Sequence, residues 1–521
     1  MPRTFRNPIL PGFYPDPSLC RVDEDYYLVT SSFEYFPGLP IFHSRDLVHW
    51  QQIGHVLDRP EQLNLLGIRP SGGLYAPTIR HHDGTFYVIN SLVDGPGKHG
   101  NFIVTATDPK GPWSQPNWLE GAPGIDPSLL FDDDGRVWYV GNQHVFEGHY
   151  EGHCEIWLQE LDLATMQLVG ERYILWDGAL ESATYAEAPH LYRINNRYYL
   201  MIAEGGTGHN HAVTIARSDT ITGPYEANPR NPILTHRHLG RDYPIVGTGH
   251  ADLVKTQYGE WWMVALGMRP YDGYFYNLGR ETFLTPVRWE EGWPIVSPGN
   301  GRIEFEHPAP NLPEHPWPEA PNCDHFETEA LAPHWNFLRT PRETFWDLES
   351  RPGFLRLTLR PERISERVNP SFVGRRQQHK HFSTHVAMDF IPNAENESAG
   401  LVLLQNDDFH IRFICTRNQE GRRIVRLIQR MKGQERVLGE IEVDEGRLYL
   451  QVRARGQNYN FYAASKLDHW TPVAEHVDGR LLSTPVAGGF TGATIGMYAS
   501  SNGQPSESFA DFDWFEYRGP D

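Results

Sequence analysis

The sequence predicts an all-β protein, a five-bladed β-propeller followed by a C-terminal β-sandwich. Three observations predict it. One short pattern recurs five times, starting at Asp16, Ala76, Asp126, Ala188 and Ala251, about sixty residues apart, a spacing suited to one propeller blade per copy. Long segments with helical period are missing, which disfavours an α/β barrel of similar size. Beyond a stretch packed with proline, the pattern gives way to a different series of short alternating strands.

Each copy opens on a small or acidic residue, usually followed by proline. A few apolar residues, a polar turn and a Tyr/Trp-rich apolar strand come next, as in DPSLCRVDEDYYLVTSS from Asp16 and DPSLLFDDDGRVWYVGN from Asp126. The unit then continues, with IFHSRDLVHWQQIG after the first copy and NFIVTATDPKGPWSQ after the second. These runs alternate apolar and polar residues between Asp/Gly/Pro turn signals, so about four strands per unit are expected, the content of a blade. Residues 307–322, HPAPNLPEHPWPEAPN, cannot cross a sheet interior and read as a stiff surface linker. Segments such as STHVAMDFIP, AGLVLLQNDDFHIRFICT and RLYLQVRARGQNYNFYAAS then predict the sandwich. The expected domains are 1–306, the linker 307–322, and 323–521.

The chain has 521 residues, 46 Lys and Arg against 66 Asp and Glu, and a net charge of −20. That balance argues against a nucleic-acid partner and against an anionic membrane surface. No stretch reaches the length that spans a bilayer. The amino terminus lacks the apolar core of a secretory signal, so a cytoplasmic protein is expected. Cys20, Cys154, Cys323 and Cys415 are scattered, which disfavours a metal–thiolate site or a disulfide framework. In an unsecreted chain the sequon at Asn396 carries no meaning.

The repeats place ionisable groups where strands begin: Asp16, Asp126, Glu187 and His250. In a propeller such positions converge on the axis. Asp16 lies between Pro15 and Pro17, which confine it near an extended conformation. By itself it reads as a turn residue or as a carboxylate held to aim at a reacting atom. Glu187 reads as an exposed loop glutamate or, among apolar neighbours, as an acid that keeps its proton near neutral pH. Coincidence favours chemistry: three carboxylates stand at matching points of a closed repeat, and two carboxyl groups are the minimum apparatus for cleaving a glycosidic bond. His250 reads as a metal ligand, an anion binder or a residue bonded to its neighbours. Arg280 reads as a fork bridging sugar hydroxyls and a carboxylate, or as a surface ion pair. His209 and His211 are expected to be structural. The run Asp132-Asp133-Asp134-Gly135 lacks the spaced ligands of a calcium loop and reads as a turn.

The segments NPILPGFYPDPS, SSFEYFPGLPIFHSRDLVHW, SGGLYAPTIRHHDG, GIDPSLLFDDDG, YAEAPHLY, GTGHADLV, LGRETFL, GRRQQH and FTGATIGMYAS resemble, in order, glycoside hydrolase family 43, and its β-xylosidases in particular. The resemblance covers both domains. It implies an exo-acting enzyme that releases terminal xylose from β-1,4-xylo-oligosaccharides with inversion. Asp16 would be the general base, Glu187 the general acid, and Asp126 the carboxylate that tunes the acid and orients substrate. Arg280 and His250 match residues in or beneath the sugar pocket, Phe33 an aromatic lining it, and Phe490 a sandwich-loop residue that closes it. Tyr75 stands where many relatives have Trp. No cofactor is required, although some relatives hold a divalent cation such as calcium near the axial His, here His250. A homo-dimer or tetramer is expected. The alternatives are an α-L-arabinofuranosidase or exo-arabinanase, and a carbohydrate-binding protein without catalysis.

Overall fold

The computed structural model describes residues 3–467 and 469–520. Its regular structure is almost all strand; the helical elements among the described residues are Thr484–Ala487 and the single turns Arg237–Leu239 and Gly479–Leu482.

Residues 18–296 form five successive antiparallel sheets. The first runs Ser18–Val22, Asp25–Val29, Gly38–Ser44, Gln51–Leu57. The second is built on Thr78–His82, Thr85–Val93 and Gly100–Ala106. The third runs Ser128–Phe131, Val137–His144, Cys154–Asp162, Gln167–Trp176. The fourth is built on Glu187–Ile194, Arg197–Glu204 and Ala212–Ser218, and the fifth runs Val246–Lys255, Trp261–Met268, Glu281–Glu290, Trp293–Val296. Short turns join the first two strands of each sheet. Between Ile194 and Arg197 the two linking residues, Asn195 and Asn196, take φ of 50° and 64°, the twist that a two-residue hairpin needs and that Asn tolerates.

Apolar clusters join each sheet to the next. Tyr87, Ile89 and Ile103 of the second meet Leu129, Tyr139 and Trp157 of the third. Trp138, Ile156 and Leu158 of the third meet Leu191, Leu200 and Ile202 of the fourth. The fifth closes on the first, with Val254, Trp262, Val264 and Leu284 against Leu19, Tyr26 and Leu28. The leading strands of consecutive sheets also touch, that of the fifth touching that of the first. Asp252, fully buried, ties four of these leading strands together. It accepts hydrogen bonds from Ser18 Oγ at 2.7 Å, Tyr192 Oη at 2.7 Å and Arg80 Nη1 at 2.9 Å, and Arg80 Nη2 lies 2.9 Å from His190 Nδ1. Burial works against its charge, but Arg80 and His190 hold its carboxyl well below the usual range.

The amino terminus is sewn to the end of this half. Thr4–Arg6 pairs with Glu306–Pro308. The Asn7 side chain donates to the Leu284 and Glu304 carbonyls and accepts from the Leu284 amide. The proline-rich stretch lies along this seam: Arg3 donates to the Pro310 and Leu312 carbonyls, and the His315 amide donates to Asp46.

The C-terminal half stacks a six-stranded sheet on an eight-stranded one. Period-two patterning places the core: in Arg447–Arg455, Leu448, Leu450, Val452 and Ala454 are buried. The halves share an apolar cluster in which Phe13, Phe33 and Tyr35 meet Phe372, Val402, Leu404 and Tyr498. Tyr35–Phe36 also pairs with Phe337–Leu338. Beside that bridge, Arg339 is wholly buried. It is paired with Asp407 at 2.9 Å and donates to the Ile68 carbonyl.

Candidate active site

Asp16 departs from the extended backbone that flanking prolines predict; its φ is 55°. The same left-handed conformation recurs at Asp126 (53°), at Ala188 beside Glu187 (50°), and at His250 (45°). For residues with a Cβ this costs about 1–3 kcal/mol and persists only where surroundings enforce it. At Asp16 they do. The Tyr14 amide donates to the Arg280 carbonyl, Thr282 Oγ1 donates to the Tyr14 carbonyl, and the Ser31 amide donates to the Pro15 carbonyl. The loop is thereby stitched to the fifth sheet.

Arg280 grips that carboxylate with both arms, Nη1 at 2.7 Å from Oδ1 and Nη2 at 3.2 Å from Oδ2. Ser31 Oγ donates to Oδ2 at 2.6 Å, and His250 Nδ1 lies 3.7 Å from Oδ1. Asp16 and Arg280 are both buried, so Arg280 is no surface ion pair. Burial alone would push the Asp16 carboxyl up. The Arg280 guanidinium first, then His250, the Ser31 hydroxyl and His211, bring it net below its ordinary value.

Glu187 opens the fourth sheet and behaves oppositely. Enclosure of its carboxyl, and then the negative charge of Asp16, raise it to about 7 against an opposing pull from Arg280. Asp126 is raised as well, by burial first and then by the charges of Glu187 and Asp16. The sequence reading has apolar surroundings and the charge of Asp126 lifting Glu187; in the structure burial leads, as expected, and the charge that follows is that of Asp16. One cluster thus holds an ionised carboxylate, Asp16, beside Glu187, whose carboxyl is raised to about 7, the separation acid–base chemistry needs.

Aromatic rings wall the cluster. The Phe33 ring lies 5.2 Å from Tyr75 and 5.9 Å from Phe490, and Tyr75 is 6.1 Å from Phe490. The Arg280 guanidinium sits 5.5 Å from the Phe33 centroid and 5.6 Å from that of Phe490. Phe490 comes from the C-terminal half, and the Arg280 Nε–H donates to its carbonyl at 3.4 Å. Close approach is built in: a Cβ on Gly492 would lie 2.7 Å from the Leu278 carbonyl oxygen.

All eight residues singled out in the sequence therefore meet in this region. His211, read as structural, is buried within electrostatic reach of Asp16, with Nδ1 3.2 Å from the Gly247 carbonyl. His209 packs edge-on to Tyr274. Residues missed by the sequence reading include Ser31, Thr207 and Asn142. Thr207 Oγ1 lies 3.2 Å from Arg280 Nη1. Asn142 accepts from the Ile125 amide at 2.8 Å and donates to the Ala186 carbonyl at 3.4 Å, gripping the residues just before Asp126 and Glu187. Ordinary polar residues within apolar runs give no signal of such roles.

The donors around His250 do not suit a protein-built cation cage. Its neighbours are an ion-paired carboxylate, a guanidinium and a second histidine. Among the described residues no three His, Cys, Asp or Glu side chains are arranged to hold a metal ion.

Comparison with known proteins decides the family. The model for glycosyl hydrolases family 43 matches residues 5–294, and that for the beta xylosidase C-terminal Concanavalin A-like domain matches residues 323–518. The chain belongs to glycosyl hydrolase family 43. It is 46% identical over 515 residues to a xylosidase/arabinosidase of Butyrivibrio fibrisolvens, covering 98% of each chain. It is 43% identical to a non-reducing end alpha-L-arabinofuranosidase of Bacteroides ovatus, covering 99% of this chain and 95% of that one. A crystal structure of a xylan beta-1,4-xylosidase from Bacillus halodurans C-125 superposes with a TM-score of 0.93 at 38% identity, covering 99% of this chain and 100% of that one. Family 43 membership makes the chain a glycosidase whose second half is a Concanavalin A-like domain.

Proposed function

We propose that this chain is an exo-acting, inverting glycosidase that releases terminal xylose from β-1,4-xylo-oligosaccharides. Its catalytic half is read as a five-bladed propeller over residues 1–306, joined by the 307–322 linker to the sandwich over 323–521. Cyclic contact of the leading strands, and the apolar cluster between fifth and first sheets, support that reading.

The terminal sugar enters between Phe33, Tyr75 and Phe490. Glu187 gives its proton to the glycosidic oxygen as the bond to the anomeric carbon breaks. Asp16 takes a proton from a water on the opposite face, and that water attacks the carbon. Inversion asks for carboxyls roughly 6.5–9.5 Å apart, enough to admit the water. Asp126, beside Glu187, orients the sugar and shares in holding the acid's proton. Arg280 keeps Asp16 ionised and presents its remaining N–H groups to hydroxyls. No step runs through a cation.

The carrying observation is one cluster in which Arg280 and Ser31 grip Asp16 and hold it below its ordinary value while Glu187 is raised to about 7. The test is xylobiose hydrolysis followed by proton NMR, with and without chelator. α-Xylose appearing first supports the mechanism, β-xylose first overturns it, and binding without release of xylose supports the non-catalytic alternative. Chelator is expected to leave the rate unchanged.

A second reading is α-L-arabinofuranosidase or exo-arabinanase activity. It is favoured by Tyr75 on the pocket wall and by the two relatives whose names carry arabinosidase activity. Rates on the nitrophenyl β-xyloside and α-L-arabinofuranoside separate the two. Four free thiols, three of them buried, fit a cytoplasmic setting. No helix among the described residues is long and apolar enough to cross a membrane. A dimer or tetramer is the expected assembly, checked by light scattering.

A further inference from the structure

Phe490 reaches the pocket from the C-terminal half, and its backbone is held at both ends by the catalytic half. Arg280 holds its carbonyl. Its amide donates to Ser71 Oγ at 2.8 Å. Ser71 is buried, with a φ of 59°, and needs its own anchor. That anchor is Glu34: Oε2 accepts the Ser71 amide at 3.1 Å. Glu34 is 1% exposed and follows Phe33 directly in the chain. Phe33 in turn exchanges backbone hydrogen bonds with Leu74, just past Ser71. The Arg339 amide donates to the Glu34 carbonyl, tying the same residue to the bridge between the halves. Contact is tight: a Cβ on Gly489 would lie 2.4 Å from Ser71 Oγ, and a Cβ on Gly73 would lie 2.3 Å from the Phe33 carbonyl oxygen.

We propose that Glu34 is a positioning residue: through Ser71 it seats Phe490 against Phe33 and so sets the wall of the sugar pocket that the C-terminal half supplies. A carboxylate that never touches substrate thereby governs how firmly the sugar is held. The kinetic arm of the test rests on the glycosidase reading above; the exchange arm does not.

The variants are Ser71→Ala, Glu34→Ala and Glu34→Gln, each also made with Phe490→Ala. Ser71→Ala removes one oxygen, so it carries the test if Glu34→Ala fails to fold. Hydrogen exchange is read on the peptide covering residues 486–492. Kinetics are read on the nitrophenyl xyloside and arabinofuranoside. Losing one buried hydrogen bond is expected to speed exchange there about tenfold. A wall that holds ground and transition states alike raises KM, here about tenfold, with kcat within about twofold. Glu34→Gln keeps an acceptor for the Ser71 amide and restores both readouts. With Phe490→Ala in place, the Glu34 and Ser71 changes add nothing further to KM.

Unchanged exchange at residues 486–492 overturns the proposal. So does faster exchange with KM unmoved, or a KM effect of equal size without Phe490. If the parent protein turns over neither glycoside, the glycosidase reading fails while the exchange result still decides the clasp.

Discussion

Replacing Glu187 with alanine separates the acid from every other group in the cluster. An ordinary glutamate titrates at 4.5, and here the carboxyl is raised to about 7. At pH 6 that places about nine-tenths of the enzyme in the proton-donating form, roughly thirtyfold more than an unshifted side chain would give. Because the acid must carry its proton, activity is expected to fall as pH rises through about 7. Without Glu187, kcat on xylobiose should drop by about 10²–10⁴, the range for loss of a general acid. Dinitrophenyl xyloside, whose leaving group departs without a proton, should lose far less. On that substrate the alkaline limb should vanish from the pH profile, because no titrating acid remains. The assay is kcat and kcat/KM on both substrates between about pH 5 and 9. Equal losses on the two substrates, or an alkaline limb that survives the substitution, would refute the assignment of Glu187.

Arg280→Ala removes the first of the influences that lower Asp16. With Asp16 ionised as the proposed base, the acid limb of kcat/KM should move to higher pH, with greater loss at pH 5 than at pH 7 in the same profile. Asn142→Ala frees the residues that precede Asp126 and Glu187; kcat should fall about tenfold with KM little changed, and urea unfolding should report a loss of about 1–3 kcal/mol. Asp407→Ala leaves the Arg339 charge buried without its partner, which should cost about 3–5 kcal/mol by the same urea measurement, and pairing it with Arg339→Met should recover most of that. Asp252 has a depressed folded value, so its contribution to stability is present above about pH 4 and lost as pH falls below that. Asp252→Asn should lower the neutral-pH unfolding midpoint and flatten that acid-side slope.

Much of the catalytic half was legible because its signals are local. Alternation, turn residues and proline mark each strand within a dozen residues, and the five matching strand heads give Asp16, Asp126, Glu187 and His250. What stayed hidden depends on partners far away in the chain. Proline restricts its predecessor locally, yet Asp16 turns left-handed because Arg280, 264 positions on, and Ser31 fix its carboxylate. His211, read as structural, has Nδ1 3.2 Å from the Gly247 carbonyl, and its electrostatic reach to Asp16 follows from packing of the fourth sheet against the fifth. Glu34 and Ser71 sit in unremarkable runs, and only a loop from the other half gives them a task.

Phe490 carries an implication for how such a chain can be altered. The Phe490 ring, packed against Phe33 and Tyr75, belongs to a different half from Asp16, Asp126 and Glu187, so the halves do not come apart as independent modules. Removing the chain beyond the 307–322 segment would uncover Phe13, Phe33 and Tyr35. Conversely, under the proposed function the loop around residues 488–492 is a place to retune which pentose is accepted while Glu187 and Asp16 stay untouched.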